Sequence, residues 1–476
     1  MLISPSAYDT GWVASIPKDR HLNKPLFPKC LQWVLCNQHK DGSWGAINEY
    51  YHDRIICTLS CLRTLQQYSI APTLQIKARN YIVRAFKSID YQNHETLGFE
   101  LLVPLFLDFL RIEIPPKYLA FLKKMNQSKV ALLSQASTLG NSHNSSIYSL
   151  EAHVIKRDTA NKNLHLPLEI NGSAGCSPAA TAAYLIHCGM TNDKTCTSMR
   201  RYLAQSLHKD GCTGTAVPID NFDLLWRQYY RHLCKKTDRA AVELIYSRWS
   251  NKGMAWSSLF SVPDLDESSI GHLLLALNGR ALDTGYIDQY EKRHSFACYQ
   301  FERNPSLSTN IHLFHLTELL ASSRAKIWRK KAYNFIFRTY KDSKQPCDKW
   351  HLSWLYPASH MLIALGQTRN GLSKIITSRI LRAASKQFTW GNYGTNAEET
   401  AYAIIALFYS NPWLNNAIKR RIISSHSLHT LLQNGLNNLS QPELWLGKSL
   451  YCPILVVHDT IKTAQLLLSR YVKYTY

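Results

Sequence analysis

The sequence predicts an all-α protein, and three observations support that class. Apolar residues recur at three- and four-residue spacing in segments spread along the chain, as in helices with one buried face: 57–67, 179–187, 270–277, 311–320, 358–365 and 400–409. Short breaks rich in Gly, Pro, Asn or Ser separate these segments. No segment shows the alternating apolar and polar residues of a half-buried strand.

A weak internal repeat predicts how the helices associate. In each copy a helix ends in a turn that contains Gln, Gly and an aromatic residue, most clearly from Gln38 to Gly45, with looser copies at 205–212 and 387–391. Repeated helix–turn–helix units cannot bury their apolar faces alone, so they stack into solenoids or close into α/α toroids. We expect two toroids, with the polar segment 233–239 as the seam between them.

Length and charge limit the possible functions. With 476 residues the chain is long enough for two domains or one large helical domain. Its net charge of +22 suggests a nucleic acid, an anionic lipid or a phosphorylated small molecule as partner. The longest basic clusters, 329–331 and 419–421, lie in amphipathic helical surroundings, which favours a solvated basic surface. We therefore predict no nucleic-acid partner.

Cysteine usage and hydropathy indicate a cytoplasmic location. The 12 cysteines form no CxxC pair and no Cys/His group at zinc spacing, which is typical of reduced, mostly buried thiols. The first residues lack a basic segment followed by an apolar one, and no apolar run reaches about 18 residues. We expect neither secretion nor a membrane span.

Three carboxyl groups cluster at the predicted start of a helix, at Asp264, Asp266 and Glu267. Like charges this close cannot all ionise cheaply, so at least one carboxyl should keep its proton near neutral pH. The positive helix N-terminus makes such a donor a stronger acid, which suits protonation of a weak base such as an alkene. Alternatively, Asp264 and Glu267 form a capping box and Asp266 is a solvated first-turn acid.

The acidic run belongs to a set of motifs that resembles class II diterpene cyclases. The likeness is closest to bacterial two-domain members that form copalyl, halimadienyl or clerodienyl diphosphates, and it spans nearly the whole chain. The other motifs occur in the family's order at 6–14, 41–45, 305–312, 348–351, 397–402 and 444–451.

The resemblance implies a fold of two α/α barrels, called β and γ, with γ inserted after the first helix of β. The β domain then comprises residues 1–20 plus 235–476 and carries the acidic motif. The γ domain comprises residues 21–234. The active cavity is expected between the two domains, where pockets are common.

The resemblance also implies roles for the acidic residues. The family motif is Asp-x-Asp-Asp, and its middle Asp donates the proton that starts cyclisation. Asp266 matches this donor, Asp264 the first acid and Glu267 the third, where the family has Asp. Asn310 and His312 are the candidate hydrogen-bonding partners of the donor, and His312 is expected beside it.

The implied reaction is bicyclisation of geranylgeranyl diphosphate. Asp266 protonates the terminal alkene, two rings close through tertiary cations, and a base removes a proton. The sequence has no Asp-Asp-x-x-Asp run and no Asn/Asp-Asp-x-x-Ser/Thr-x-x-x-Glu run, so the metal clusters that ionise a diphosphate in class I enzymes are missing. The diphosphate should stay on the product, and a class I terpene synthase or a phosphatase could act on it next.

Further residues are assigned by the same resemblance. Trp256 and Trp350 are candidate walls of the cation pocket, since indole faces stabilise cations. Lys349 is a candidate diphosphate contact. Class II cyclases usually use Mg²⁺ at the diphosphate, and Glu95 and Glu100 are the candidate ligands.

Two substitutions predict the product type. Tyr148 and Thr215 occupy positions where copalyl-forming plant relatives have the His and Asn that hold the deprotonating water. A tyrosine phenol titrates near 10 and is a poor base, so the cation should rearrange before it is quenched. This predicts a kolavenyl (clerodienyl) or halimadienyl skeleton. If Tyr148 is only a packed aromatic, copalyl diphosphate is the alternative.

Two functions from other classes remain open. A carbohydrate-active α/α toroid would use Asp266 and a second acid as a general acid and base, but such acids lie several ångströms apart on different helices. A non-catalytic helical scaffold would bind an anionic partner through its basic surface.

Overall fold

A computed structural model of the chain describes residues 2–18, 24–89, 95–96, 98–138, 150–155, 168–300, 302–409 and 411–472. Within these ranges the elements of regular secondary structure are α-helices, apart from a 3-10 helix and one hairpin of two-residue strands. Each of the six segments predicted from apolar periodicity coincides with a helix, although 311–320 and 400–409 run past the helix ends at Thr317 and Phe408, and the all-α class is confirmed. Among the described residues, no helix has the length and apolar content that a membrane span requires.

The chain divides into two compact units by its internal contacts. Unit 1 contains residues 1–219, 259–262 and 445–451. Its helices often begin at Ser or Asp residues whose side chains accept the first free backbone N–H groups, as at Ser6, Ser177 and Asp193. The elements of unit 1 are α1 (Ala7–Ala14), α2 (Pro28–Cys36), α3 (Tyr51–Gln67), α4 (Pro72–Ala85), α5 (Phe99–Phe109), α6 (Pro116–Thr138), α7 (Glu151–Ile155), α8 (Pro178–His187), α9 (Lys194–Ser206), β1 (Trp445–Leu446) and β2 (Leu450–Tyr451).

Unit 2 contains residues 220–258, 263–444 and 452–476. Side-chain caps again start its helices, as at Asp264, Ser306 and Asn370. Its elements are α10 (Asp220–Leu233), α11 (Arg239–Arg248), α12 (Leu265–Leu277), a 3-10 helix (Gly285–Tyr290), α13 (Leu307–Thr317), α14 (Ser323–Asp342), α15 (Leu355–Leu365), α16 (Gly371–Arg382), α17 (Ala397–Phe408), α18 (Asn416–Ile423), α19 (His426–Asn437) and α20 (Ile454–Val472).

This division differs from the predicted domain boundaries of 1–20 plus 235–476 and 21–234. Residues 1–20 group with unit 1, because every residue of α1 is buried and α1 packs on α2, α3 and α8. The boundary lies at 219/220, because α10 packs on α12 and α20 of unit 2. The polar segment 233–239, predicted as the seam, joins α10 to α11 within unit 2.

Three turns of unit 1 share one hydrogen-bonding pattern, at 39–43, 169–173 and 208–212. The N–H of the first residue donates to the carbonyl of the fifth over 2.8 Å, and the fourth residue is a glycine with φ between +85° and +95°. The third residue, Asp or Asn, accepts the N–H of the fifth. The structure therefore contains the predicted repeat. The sequence predicted only the first and third of these turns.

Two tryptophans hold equivalent turns in place, Trp44 in unit 1 and Trp390 in unit 2. Each indole N–H donates over 2.8 Å to the carbonyl ten residues earlier, and each backbone N–H donates to a threonine hydroxyl of the next helix. The acceptors are Val34 and Thr58 for Trp44, and Ile380 and Thr400 for Trp390. The same turn thus recurs in both units.

The segment 445–451 belongs to unit 1 although it is distant in sequence. Lys448 Nζ lies 2.6 Å from Glu151 Oε1, and both side chains are nearly or completely buried. The backbone N–H of Leu450 donates to Asp53 Oδ1 over 2.7 Å. These polar contacts fix the hairpin β1–β2 in the interior of unit 1.

Candidate active site

The acidic run lies at the N-terminus of α12, inside unit 2. Asp264 is the N-cap residue, and its Oδ1 accepts the backbone N–H groups of Asp266 and Glu267 over 2.9 Å each. The backbone N–H of Asp264 donates to Met254 O over 3.0 Å, so it does not pair with the Glu267 side chain as a capping box requires. All three acids are buried, with 0%, 5% and 7% exposure in chain order, which excludes a solvated Asp266.

Asp264 and Glu267 hydrogen-bond to each other through their carboxyl groups. Burial raises the pKa of Glu267 well above its ordinary value, and the Asp264 charge adds to this effect. Burial also raises the pKa of Asp264, to about 6, although its bonds with Glu267 oppose the shift. Glu267 therefore keeps its proton near neutral pH and donates it to Asp264. Among the described residues, no lysine or arginine pairs with any of the three acids.

Among the side chains that the structure describes, Asp266 has one close hydrogen-bonding partner, His312 on α13. The distance from Asp266 Oδ1 to His312 Nδ1 is 2.5 Å, and the imidazole is completely buried. A ring N–H that donates to Oδ1 leaves Oδ2 as the oxygen that can carry an acidic proton. The same N–H can remain bonded to the carboxylate once this proton is transferred.

The imidazole of His312 is bonded on both sides. Its Nε2 lies 2.5 Å from Nδ1 of His360 on α15, and His360 Nε2 lies 2.8 Å from the hydroxyl of Tyr230 on α10. Burial lowers the pKa of His360 well below its ordinary value, and the neighbouring His312 adds to the shift. Four side chains from α10, α12, α13 and α15 thus form one buried hydrogen-bonded chain.

Aromatic rings enclose His312. The rings of Trp226 and Tyr356 each pack edge-to-face with the imidazole. The centroid distances to the His312 ring are 5.8 Å for Trp226 and 6.3 Å for Tyr356. The indole N–H of Trp226 donates to the Tyr356 hydroxyl over 2.9 Å, which fixes both rings. A buried acid whose imidazole partner packs against aromatic rings can protonate a weak base, and aromatic faces can stabilise a cation.

The curated proteins similar in sequence are diterpene synthases of plants. A (−)-kolavenyl diphosphate synthase of Tripterygium wilfordii is 27% identical over 362 residues, which cover 73% of this chain and 43% of the relative. An ent-copalyl diphosphate synthase of Isodon eriocalyx is 27% identical over 367 residues, which cover 73% of this chain and 44% of the relative. The chain is homologous to class II diterpene cyclases. No protein-family model matches it.

The aligned region covers less than half the length of these curated relatives. Their sequence similarity therefore does not by itself assign their complete activities to this chain. Comparison with solved structures shows the fold of this chain. The ent-copalyl diphosphate synthase from Streptomyces platensis matches with a TM-score of 0.75 at 20% identity, over 98% of this chain and 96% of that one. The enzyme from Arabidopsis thaliana matches with a TM-score of 0.65 at 21% identity, over 97% and 60%. The predicted α/α-barrel class is confirmed.

Only one of the two predicted partners of Asp266 contacts it. His312 contacts Asp266, whereas the Asn310 amide donates to the carbonyls of Phe296 and Ser306 and accepts the Phe296 N–H. Asn310 is completely buried, and these bonds tie the loop before α13 to the helix start. Asn310 therefore stabilises that loop.

Lys349 and Trp350 lie near the acidic run in unit 2. Lys349 Nζ pairs with Glu302 over 2.9 Å and lies 5.4 Å from the centre of the Trp350 ring. The Trp350 ring packs on Tyr299 at 6.1 Å, and the Tyr299 hydroxyl donates to Asp264 Oδ2 over 3.4 Å. Trp350 is thus connected to the acids through one intervening aromatic side chain.

The remaining predicted contacts are less directly connected to the acids. The Trp256 carbonyl accepts the N–H of Phe222 at the start of α10 in unit 2. Thr215 is buried in unit 1, where a Cβ on Gly447 would lie 3.4 Å from its hydroxyl oxygen. Tyr148 lies outside the described residues.

The candidate magnesium ligands, Glu95 and Glu100, are buried in unit 1. Glu95 forms an ion pair with Lys129, which already compensates its charge. Among the described residues, neither glutamate belongs to a group of three His, Cys, Asp or Glu side chains close enough to share one ion. The described donors therefore do not complete a magnesium site.

Sequence reasoning missed His360 and Tyr230. His360 occurs within the apolar helical pattern 358–365, where an imidazole signals a buried hydrogen bond. Its partners lie 48 and 130 residues away in sequence, and helical periodicity carries no information about contacts at that distance.

Proposed function

We propose that the chain is a class II diterpene cyclase that converts geranylgeranyl diphosphate into a bicyclic diterpenyl diphosphate. The observation that carries this proposal is the buried contact between Asp266 and His312, with no lysine or arginine paired to the acid among the described residues. A carboxyl group in that setting is an acid for an uncharged base, and the terminal alkene of a prenyl chain is such a base.

The residues of unit 2 support each early step. His312 holds Oδ1 of Asp266 by an N–H bond, so the proton on Oδ2 is transferred to the alkene carbon and the electron pair of the double bond forms the new C–H bond. The ring closures then pass the positive charge to tertiary carbons. Trp226 and Tyr356, whose rings pack on His312, are candidate aromatic faces for stabilising this charge.

The product is proposed to be a rearranged skeleton of the kolavenyl (clerodienyl) or halimadienyl type that retains its diphosphate. Support comes from Tyr148 and Thr215 in place of the His and Asn of copalyl-forming relatives, and from the kolavenyl diphosphate synthases among the relatives. Copalyl diphosphate is the competing product, because ent-copalyl diphosphate synthases have the same identity to the chain.

Magnesium, the diphosphate contact and the location are also proposals. Mg²⁺ would supply charge neutralisation at the diphosphate, with Glu95 and Glu100 as candidate ligands and Lys349 as a further cation. A cytoplasmic location is supported by the 12 cysteines, all of which are free thiols. A phosphatase or a class I terpene synthase is the class of enzyme that would consume the product.

One incubation tests the activity, the diphosphate and the metal together. Purified protein is mixed with geranylgeranyl diphosphate, and extracts with and without phosphatase treatment are analysed by gas chromatography and mass spectrometry. We expect a bicyclic alcohol only after phosphatase treatment, and less of it after removal of Mg²⁺ with a chelator. Hydrocarbon without phosphatase would contradict retention of the diphosphate, copalol would contradict the rearrangement, and no cyclic product would contradict the function.

A further inference from the structure

The hydrogen-bonded chain behind the acid extends beyond its contact partner. His312 Nε2 and His360 Nδ1 lie 2.5 Å apart, and His360 Nε2 lies 2.8 Å from the Tyr230 hydroxyl. All of these side chains are completely buried in unit 2. Each of these hydrogen bonds contains one proton, shared between His312 Nε2 and His360 Nδ1 or between His360 Nε2 and the Tyr230 oxygen. The direction of one hydrogen bond therefore determines the direction of the next.

His360 is neutral, because burial and the neighbouring histidines lower its pKa well below the ordinary value. A neutral imidazole has one N–H, so His360 has two possible states. If the proton is on Nδ1, His360 donates to His312 Nε2 and accepts from Tyr230. If the proton is on Nε2, His360 donates to Tyr230 and accepts from His312.

The two states have opposite consequences for Asp266. In the first, His312 Nε2 accepts, so the ring proton of His312 is on Nδ1 and is donated to Asp266 Oδ1, which leaves the acid proton on Oδ2. In the second, the ring proton of His312 is on Nε2, and its bare Nδ1 accepts the acid proton from Oδ1. Only the first state presents a proton that is free to be transferred.

We propose that Tyr230 and His360 are positioning residues that fix the tautomer of His312 and so keep the proton of Asp266 on Oδ2. Tyr230 donates its hydroxyl proton to His360 Nε2, which holds the proton of His360 on Nδ1. Burial raises the pKa of Tyr230, so its hydroxyl remains a donor at every pH at which the protein is handled. This inference rests on the proposed function only for its effect on turnover, because the tautomers exist without substrate.

Four variants isolate the hydrogen bonds from the packing. Tyr230→Phe keeps the ring and removes the donor, and His360→Leu removes the nitrogen beside His312. His360→Asn keeps an amide N–H where Nδ1 stands and restores donation to His312. Tyr229→Phe is the matched control, because the Tyr229 ring also packs on His360, at 5.1 Å, while its hydroxyl lies 3.4 Å from His315 Nδ1.

The kinetic test measures kcat and KM for geranylgeranyl diphosphate in these variants, with the midpoint of thermal unfolding as a check on folding. We expect Tyr230→Phe and His360→Leu to lower kcat about tenfold or more with little change in KM. We expect His360→Asn to retain more of kcat than His360→Leu, and Tyr229→Phe to remain near wild type. Equal kcat in Tyr230→Phe and Tyr229→Phe would overturn the proposal.

A spectroscopic test does not depend on the reaction. In protein labelled with ¹⁵N at its histidines, the ring nitrogens of His312 and His360 are assigned from the signals that disappear in His312→Phe and His360→Asn. We expect Nδ1 of both rings to carry the proton in the wild type, and a mixture at His360 in Tyr230→Phe. A proton on Nε2 of His312 in the wild type would overturn the proposal. If the wild type instead fails to form a cyclic product while these tautomers are found, the proposed function fails and the positioning chain stands.

Discussion

Each unit buries a cluster of acids, and the two clusters are compensated in different ways. In unit 1, Lys448 Nζ lies 2.6 Å from Glu151 Oε1, which also accepts the Tyr8 hydroxyl over 3.0 Å. Asp9 accepts the Ser6 hydroxyl, and the charge of Lys448 opposes the effect of burial, which raises the pKa of Asp9 to about 7. Lys448 thus supplies a positive charge close to the acids Glu151 and Asp9 of unit 1.

In unit 2, by contrast, the acids are compensated by protons. Glu267 keeps a proton that it donates to Asp264, and Asp266 accepts an N–H from His312. Among the described residues, no lysine or arginine pairs with these acids. A nearby cation favours the carboxylate form of a buried acid, whereas burial without a cation favours the protonated form. The two clusters thus differ in their partners: a lysine charge reaches the acids of unit 1, whereas carboxyl and imidazole hydrogen bonds hold the acids of unit 2.

The largest expected effect on stability is in unit 1. Lys448→Met leaves the fully buried Glu151 without its cation, so we expect the free energy of unfolding to fall by about 3–5 kcal/mol. Arg280→Met is the matched control, because its pair with Glu243 is solvent-exposed and should contribute little to the free energy of unfolding. Urea unfolding of both variants checks this. Similar losses in the two variants would show that the lysine is not needed for the buried acids.

The largest expected effect on turnover outside the donor itself is at His312. His312→Phe keeps a ring against Trp226 and Tyr356 but removes the N–H that holds Asp266, so we expect turnover to fall about 100-fold. The control is His272→Gln, because His272 is another buried histidine and bonds to the Tyr286 hydroxyl instead of an acid. Steady-state assays with geranylgeranyl diphosphate give the comparison. Equal turnover in both variants would show that the hydrogen bond of His312 to Asp266 is not needed for turnover.

A smaller effect should appear as a pH dependence of stability. The raised pKa of Glu267 means that the unfolded chain loses this proton near pH 4.3 while the folded chain keeps it, so the group's contribution to stability falls as pH rises from there towards the folded pKa. Glu267→Gln is neutral throughout and can still donate to Asp264. Relative to the wild type, we expect the variant to gain about 1 kcal/mol or more between pH 4 and pH 7.5.

The control for this prediction is Glu49→Gln, at an exposed position of unit 1. Its stability relative to the wild type should not change over the same pH range. Thermal unfolding of the three proteins at both pH values provides the measurement. A gain of equal size in the two variants would refute the assignment of the proton to Glu267.

The sequence predicted the features that local spacing encodes. Helical periodicity located the helices, and the order of the acids at Asp264 placed them at a helix start, where the structure has the N-cap of α12. The contact between Asp266 and His312 followed from a family resemblance that links motifs 46 residues apart. No local pattern encodes the contact of His312 with His360, because it depends on how α13 and α15 pack.

The domain boundaries show the same limit. The family arrangement suggested that residues 1–20 belong with the acidic domain, but the burial of α1 against α3 and α8 groups them with unit 1. The hairpin 445–451 joins unit 1 for a similar reason, because Lys448 pairs with Glu151 almost 300 residues earlier. Both assignments depend on tertiary contacts that the spacing of residues along the chain does not contain.

The most direct test of the central claim is the turnover of Asp266→Asn with geranylgeranyl diphosphate. Asparagine keeps the shape of the side chain and can still accept the N–H of His312, but it has no acidic proton. The account predicts that the bicyclic alcohol recovered after phosphatase treatment falls by about 100-fold or more, while the midpoint of thermal unfolding stays near that of the wild type. A folded Asp266→Asn protein that cyclises the substrate at the wild-type rate would contradict the account.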